Sequence, residues 1–210
     1  MIAREPLVRL VELDELEGPD RQTAESGLAQ YGQLLETWRA IMHRPGLFSA
    51  YLPFLRQVAG PGSLPQGVKE ASALLVGHLN QCRYTISHRS TAALAAGLVD
   101  EELVKVVSGD WDDFDEPLRI ALEATREVTI DPPGRPYTAG PAVLSAGIRA
   151  RLRDQFSDEQ IVELVMSISI WNGLARFHRT MEFSLDMPPA PAGVDLTPPV
   201  TTITDEGTVS

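Results

Sequence analysis

The helical period dominates the pattern of apolar and polar positions, and strand-like alternation of Val, Ile and Thr is nearly absent until the tail. Residues 1–27 read as a mostly irregular, polar segment. From Tyr31 to Arg44 the spacing predicts a helix with Leu34, Leu35, Trp38 and Met42 on one side. Pro45 opens the next stretch, to Val58, and Pro53 inside it predicts a break or kink. Gly60-Pro61-Gly62 marks a turn. A helix over Pro65–Leu79 follows, carrying Val68, Ala71, Leu74, Leu75 and Leu79, then another from about Cys82 to Ala96, ended by Gly97. Asp100–Val107 reads as a short helix with an acidic start, and Glu116–Val128 and Gly140–Phe156 as two more. The clearest interior loop is Ile130–Pro136. Ser157-Asp158-Glu159-Gln160 fits a capping box opening the longest helix, through about Phe183, with Ile161, Leu164, Val165, Ile168 and Ala175 on one face.

This pattern predicts one all-α domain over 28–187, after the irregular segment 1–27 and before a flexible or draped Pro/Thr-rich tail, 188–210. Two helical blocks, roughly 64–109 and 114–183, share a similar character and hint at pseudo-duplicated halves. The length of 210 residues and the balance of 43% apolar to 22% charged residues suit a globular core. The net charge of −11 argues against nucleic acid or an anionic membrane surface as partner, yet leaves room for a small anionic substrate in a locally positive site. No apolar run reaches membrane-spanning length and the N-terminal residues lack a signal-peptide core, so a cytoplasmic location is expected. Cys82 is the one cysteine, which excludes an intrachain disulfide and an intrachain dithiol cycle.

Candidate chemistry gathers between Glu70 and Arg89. A carboxylate, Glu70, opens a buried-type helix that carries His78 near its end; Cys82, Tyr84 and His88 then cluster at the next helix start. Unpaired amides at a helix N-terminus acidify a thiol and stabilise an oxyanion, so this is where a small anion or reactive thiol is best served. Each residue also has a plain structural role open to it. Cys82 can be a small buried hydrophobe, Tyr84 aromatic packing, His78 a satisfied core polar group and His88 a ring bonded to a carbonyl. Glu70, if buried, needs Arg83 or Arg89 as partner. His78, Cys82 and His88 have usable metal-ligand types, but their spacing is not a recognised one and no metal site is assigned. The acids Asp112–Glu116 read as a solvated turn capping the next helix rather than as a catalytic pair. Trp171 and Asn172 can floor a pocket or serve as core packing with one satisfied amide. No phosphate loop, nucleophile elbow or dinucleotide fingerprint is present.

The layout resembles the carboxymuconolactone decarboxylase and alkylhydroperoxidase D-like superfamily: a Glu opening an apolar helix, an Asn-containing turn, then Cys-x-x-Cys-x-x-x-His in the peroxidase branch or a Tyr-containing segment ending in His in the decarboxylase branch. Glu70 matches the family Glu and Cys82 the first Cys, while Thr85 stands where the second Cys belongs. Strict spacing puts the family His at Arg89, with His88 one residue early. The resemblance extends to His43–Leu47, Ala96–Leu103, Phe156–Leu164 and Trp171-Asn172, and so covers about 30–187. It implies an alkylhydroperoxidase D-like helical domain that forms homo-oligomers (dimer, trimer or hexamer).

Without a second Cys, the resemblance implies a cofactor-free lyase or isomerase in which a His moves a proton beside a carbonyl or lactone. On this expectation His88 is the acid/base on a small oxo-acid or lactone, with Tyr84 and the helix N-terminus holding an enolate-like oxygen. Glu70 or His78 orients or relays, and Thr85, Arg89, Trp171 and Asn172 contact the small-molecule substrate. The alternatives are a peroxiredoxin-like thiol peroxidase using Cys82 alone and a non-catalytic binding or assembly relative.

Overall fold

The computed structural model describes residues 5–130 and 144–196. Among these, every regular element is helical: a 3-10 turn at Leu13–Glu15, then α1 (Gly18–Tyr31), α2 (Glu36–Ile41), α3 (Leu47–Ala59), α4 (Gln66–Leu79), α5 (Arg83–Ala95), α6 (Asp100–Ser108), α7 (Glu116–Thr129), α8 (Ala146–Gln155) and α9 (Asp158–Met181). None of these helices is long and apolar enough to cross a membrane.

The axle is α4. Its residues from Val68 to Gly77 are all buried, as expected of a helix with little polar surface on any side. It packs against α5, α6, α7 and α9. One side of it joins Ile120, Leu152, Leu164 and Ile168 from α7, α8 and α9. The other side meets Ile86, Leu103, Val106 and Trp111 from α5, α6 and the turn beyond. A separate N-terminal cluster holds Leu35, Trp38, Met42, Phe48 and Leu52. The space between that cluster and the α5–α9 face is where the site lies.

The helix boundaries follow from identifiable caps. Ser157 and Gln160 exchange the two bonds of a capping box at the start of α9. Asp115 accepts from the Leu118 amide, so the acids before α7 do cap a helix. Gly97, with φ of 102°, follows α5 in the left-handed region as expected of a C′ glycine.

Three expectations are corrected. Residues 18–31 form a helix that begins inside the segment 1–27 read as irregular. Its buried stripe is Asp20, Ala24 and Gly27, too small and polar to show as hydrophobic periodicity. The helix expected over 31–44 is cut, because Gly32 adopts a left-handed conformation and ends α1, leaving only Glu36–Ile41 for α2. Pro53 does not break α3; it lies on the exposed face, where solvent can serve the carbonyl left without an amide partner. Of the two readings of the tail, residues 188–196 follow the draped one: Ser87 donates to the Pro188 carbonyl at 2.8 Å, Arg83 pairs with Asp195 and Val194 is fully buried. The expected loop is outside the described residues from Asp131 onward, as are the first residues of the helix expected from Gly140 and the tail beyond residue 196.

Candidate functional site

The site is built on the α4–α5 corner. Asn80 closes α4, Gln81 takes a left-handed conformation (φ 53°), and Cys82 becomes the N-cap of α5. Its Sγ accepts from the Thr85 amide at 3.5 Å and the Thr85 hydroxyl at 3.2 Å. Tyr84 and His88, four residues apart, share a face of α5, and Arg89 beside them reaches the same cavity.

Asp186, in the strap after α9, is the hub. His88 Nε2 donates to its Oδ1 at 2.5 Å and the Tyr84 hydroxyl to its Oδ2 at 2.6 Å. The Glu36 amide donates to Oδ2 as well, at 2.8 Å. Burial alone would raise the Asp186 carboxyl, but the bonds from His88, Tyr84 and Glu36 hold it below the ordinary carboxylate range. Burial pushes the His88 imidazole below its ordinary value, and the bond to Asp186 offsets this only in part. The consistent state is a neutral His88 donating Nε2–H to ionised Asp186. Its Nδ1 bonds none of the described residues and carries the free lone pair. Burial and the adjacent carboxylate push the Tyr84 phenol far up, so it stays protonated. The Tyr84 and His88 rings stack with centroids 4.4 Å apart.

Tyr84, His88 and Arg89 face a cavity of about 420 Å³. Glu70 and Trp171 line it too. Arg89 donates to Glu70 at 2.9 Å and lies over the Trp171 ring at 4.1 Å. Gln66 binds the other Glu70 oxygen at 2.8 Å. The buried carboxylate therefore takes Arg89 as partner, while Arg83 goes to Asp195. The remaining wall is aromatic and apolar, from Tyr31, Trp38, Tyr51, Leu35, Leu52 and Leu55. Arg56 completes it; its guanidinium bonds Gln30 and Ser26 and pairs with no carboxylate among the described residues. The lining thus presents two guanidinium groups, Arg56 and the Glu70-paired Arg89, in an acidic chain.

Four singled-out residues lie outside the cavity lining. Cys82 is 1% exposed, among Tyr84, Ala175, Phe183 and Leu185. Burial pushes its thiol up despite the Thr85 bonds, against the acidification expected at a helix start. Thr85 links Cys82 to His178, whose Nδ1 lies 2.9 Å from the hydroxyl. His78 stands apart, half-buried, its imidazole lowered by burial. Asn172 accepts from Asn80 at 2.9 Å and donates to Thr129 at 3.0 Å, tying α9 to the α4–α5 corner and α7. The role expected of Tyr84 is corrected as well: its hydroxyl proton is committed to Asp186 rather than free for an enolate oxygen.

Sequence reasoning missed Asp186, His178, Thr37 and Arg56. Asp186 follows the last helix, 98 residues from His88, and no local pattern marks it. His178 does carry a legible signal: a His three positions after Ala175 and four after Leu174, on the buried side of the longest helix.

Residues 45–127 match the carboxymuconolactone decarboxylase family. No curated protein matches the chain significantly. Among solved structures, the chain is similar to a cysteine-to-alanine variant of the debrominase Bmp8 in complex with 2,3,4-tribromopyrrole, at a TM-score of 0.71 and 18% identity over 91% of this chain and 95% of that one. An uncharacterized peroxidase-related protein from Ralstonia eutropha JMP134, described as an alkylhydroperoxidase AhpD core, aligns at a TM-score of 0.70 and 18% identity over 91% and 95%. Another from Silicibacter sp. TM1040 aligns at 0.69 and 18% over 90% and 94%. At such identities the structural likeness speaks for the fold, and the family model adds the α3–α7 region that holds Glu70, Tyr84, His88 and Arg89. Residues 45–127 thus carry the carboxymuconolactone decarboxylase family match, and the fold around them is alkylhydroperoxidase D-like.

Proposed function

We propose that the chain is a lyase or isomerase-type enzyme that moves a proton beside a carbonyl of a small, flat oxo-acid or lactone, with His88 as the acid/base. The observation that carries this reading is the His88–Asp186 pair on the wall of an aromatic cavity that also presents Arg56 and Arg89. A neutral imidazole held by a carboxylate at Nε2 offers its Nδ1 lone pair to a substrate C–H. Asp186 then stabilises the imidazolium, as an orienting carboxylate does in other His-based sites. Arg89 supplies the positive charge for the developing enolate oxygen, since its Nε–H is buried without a partner. Glu70 fixes the Arg89 guanidinium and Tyr84 fixes Asp186; both are positioning residues. His88 returns the proton to a different carbon, and the net reaction is an isomerisation; where a carboxylate leaves as carbon dioxide instead, its electron pair stays on carbon and is quenched by a proton taken from water and delivered by His88. Trp38, Tyr51 and Trp171 suit a planar conjugated substrate, a shape shared by the tribromopyrrole bound to the Bmp8 variant.

The test is proton exchange in D2O, followed by NMR on a panel of γ-lactones and 2-oxo-acids. The native protein exchanges the acidic C–H of at least one member. His88→Gln lowers that exchange by at least about a hundredfold while the circular dichroism spectrum is unchanged. Exchange that survives in His88→Gln overturns the assignment. The homo-oligomer implied by the family is part of the same proposal, and sedimentation velocity measures it.

A further inference from the structure

Eight side-chain polar atoms are buried without a partner among the described residues. Three of them, Thr37 Oγ1, Arg89 Nε and His178 Nε2, belong to residues that line the cavity. Buried polar atoms are nearly always bonded, so a cluster of unbonded ones around one space marks a place where a ligand completes the network.

His178 is the informative member, because the bond its other nitrogen makes assigns its tautomer. The Thr85 hydroxyl spends its proton on Cys82 Sγ, and its oxygen is then an acceptor for His178 Nδ1–H. His178 is 4% exposed, and burial lowers its imidazole to about 3. At neutral pH the ring carries one proton, already used at Nδ1, and Nε2 is left as a lone pair. A carboxylate or carbonyl set against that lone pair is repelled. A hydroxyl is attracted. The cations Arg56 and Arg89 serve the anionic end of a ligand elsewhere on the wall.

We infer that His178 is a ligand-recognition residue whose Nε2 accepts a hydrogen bond from an O–H group, phenolic or enolic, on a flat anionic compound held in this cavity. The inference rests on the cavity being the substrate site, but it does not depend on His88 acting as a base. It selects a hydroxylated substrate over its ether or unsubstituted counterpart, because an ether leaves Nε2 unpaired and adds bulk against it.

Binding reads this without turnover. Trp38 and Trp171 in the wall report occupancy by fluorescence quenching, with 4-hydroxybenzoate and 4-methoxybenzoate as paired probes. The native protein is expected to bind the hydroxylated probe about tenfold more tightly, the worth of one buried hydrogen bond. In His178→Phe the ratio falls to about one while 4-methoxybenzoate still binds. Imidazole 15N spectra of the native protein give a second reading that needs no variant. One unprotonated ring nitrogen, assigned to His178 by its loss in His178→Phe, shifts on adding 4-hydroxybenzoate and not on adding 4-methoxybenzoate. Equal affinities in the native protein, no binding of either probe, a preference that persists in His178→Phe, or an Nε2 signal unmoved by bound 4-hydroxybenzoate would each overturn the inference. Exchange that survives in His88→Gln while the binding ratio holds is a failure of the proposed reaction alone, and exchange lost in His88→Gln while the two probes bind equally is a failure of this inference alone.

Discussion

At the residue scale, the segment between Glu70 and Arg89 was legible because it is local. Glu70, Tyr84, His88 and Arg89 sit at helical spacings that bring them to one wall. Their partners were not legible. Asp186 reaches His88 only because the chain turns back after α9, and a lone Asp among Leu185 and Met187 has no pattern around it. The pairing sets a pH expectation. Because burial holds the His88 imidazole below its ordinary value of about 6.5, the base is present above that lowered pKa and lost as pH falls through it. A kcat/KM profile should therefore rise with pH through a single limb centred below about 6.5 and stay flat above it. Asp186→Asn removes the carboxylate that stabilises the imidazolium and should cut kcat by on the order of a hundredfold or more, with substrate affinity little changed. An unchanged kcat would remove Asp186 from the mechanism. Cys82 leads to the opposite expectation. Its sealed, poorly ionised thiol should yield neither sulfenic acid nor mixed disulfide when the native protein is treated with peroxide and analysed by mass spectrometry. Cys82→Ser should keep its activity; loss of activity would favour thiol chemistry.

At the element scale, the apolar helices were read almost to the residue, since α4, α7 and α9 carry strong stripes or caps. The polar α1 was not, because Asp20, Ala24 and Gly27 face inward in place of large hydrophobes. Asp20 is buried for a reason found in another helix: its oxygens accept from the Gly46 and Ser49 amides at 2.6 and 2.8 Å, capping α3 from across space. Gly77 is a comparable case inside α4. A Cβ there would stand 2.9 Å from Thr85 Cγ2 and 3.2 Å from the Ile86 amide nitrogen, so a glycine lets the start of α5 lie directly on α4. Gly77→Ala should cost about 1–3 kcal/mol in urea unfolding despite alanine's better helix propensity. Thr85→Ser removes the obstructing methyl group. In that background the cost should shrink by about half, and strict additivity of the two changes would show that the contact is not the cause.

At the scale of the whole molecule, α9 is the long member that holds the helical layers together, and each end is fastened by a titratable group. Near its start, Glu163 accepts from the Ser63 and Leu64 amides and pairs with Lys69, itself 1% exposed, at 3.0 Å. Burial would raise this carboxyl, but those bonds bring it down to about 2. Near its end, His178 locks onto Thr85 of α5 with its imidazole lowered to about 3. Both folded values lie below the unfolded ones, so in both cases the unfolded chain binds protons more readily and stability falls as pH falls. The His178 contribution is whole above about pH 6.5 and drains away as pH approaches 3; that of Glu163 is whole above about pH 4.5 and drains toward 2. Acid should therefore loosen the end of α9 beside the cavity before the end beside α4. Urea unfolding at pH 4.5 should give a stability lower than at pH 7 by on the order of 2–3 kcal/mol. In His178→Phe, which has no imidazole to protonate, that difference should shrink by on the order of 2 kcal/mol, whereas Glu163→Gln should lower stability alike at pH 7 and pH 4.5 and so leave the difference nearly unchanged. A pH difference as large in His178→Phe as in the native protein would mean that the acid lability resides elsewhere, and that the Thr85–His178 contact is not what fastens α9 to the wall of the site.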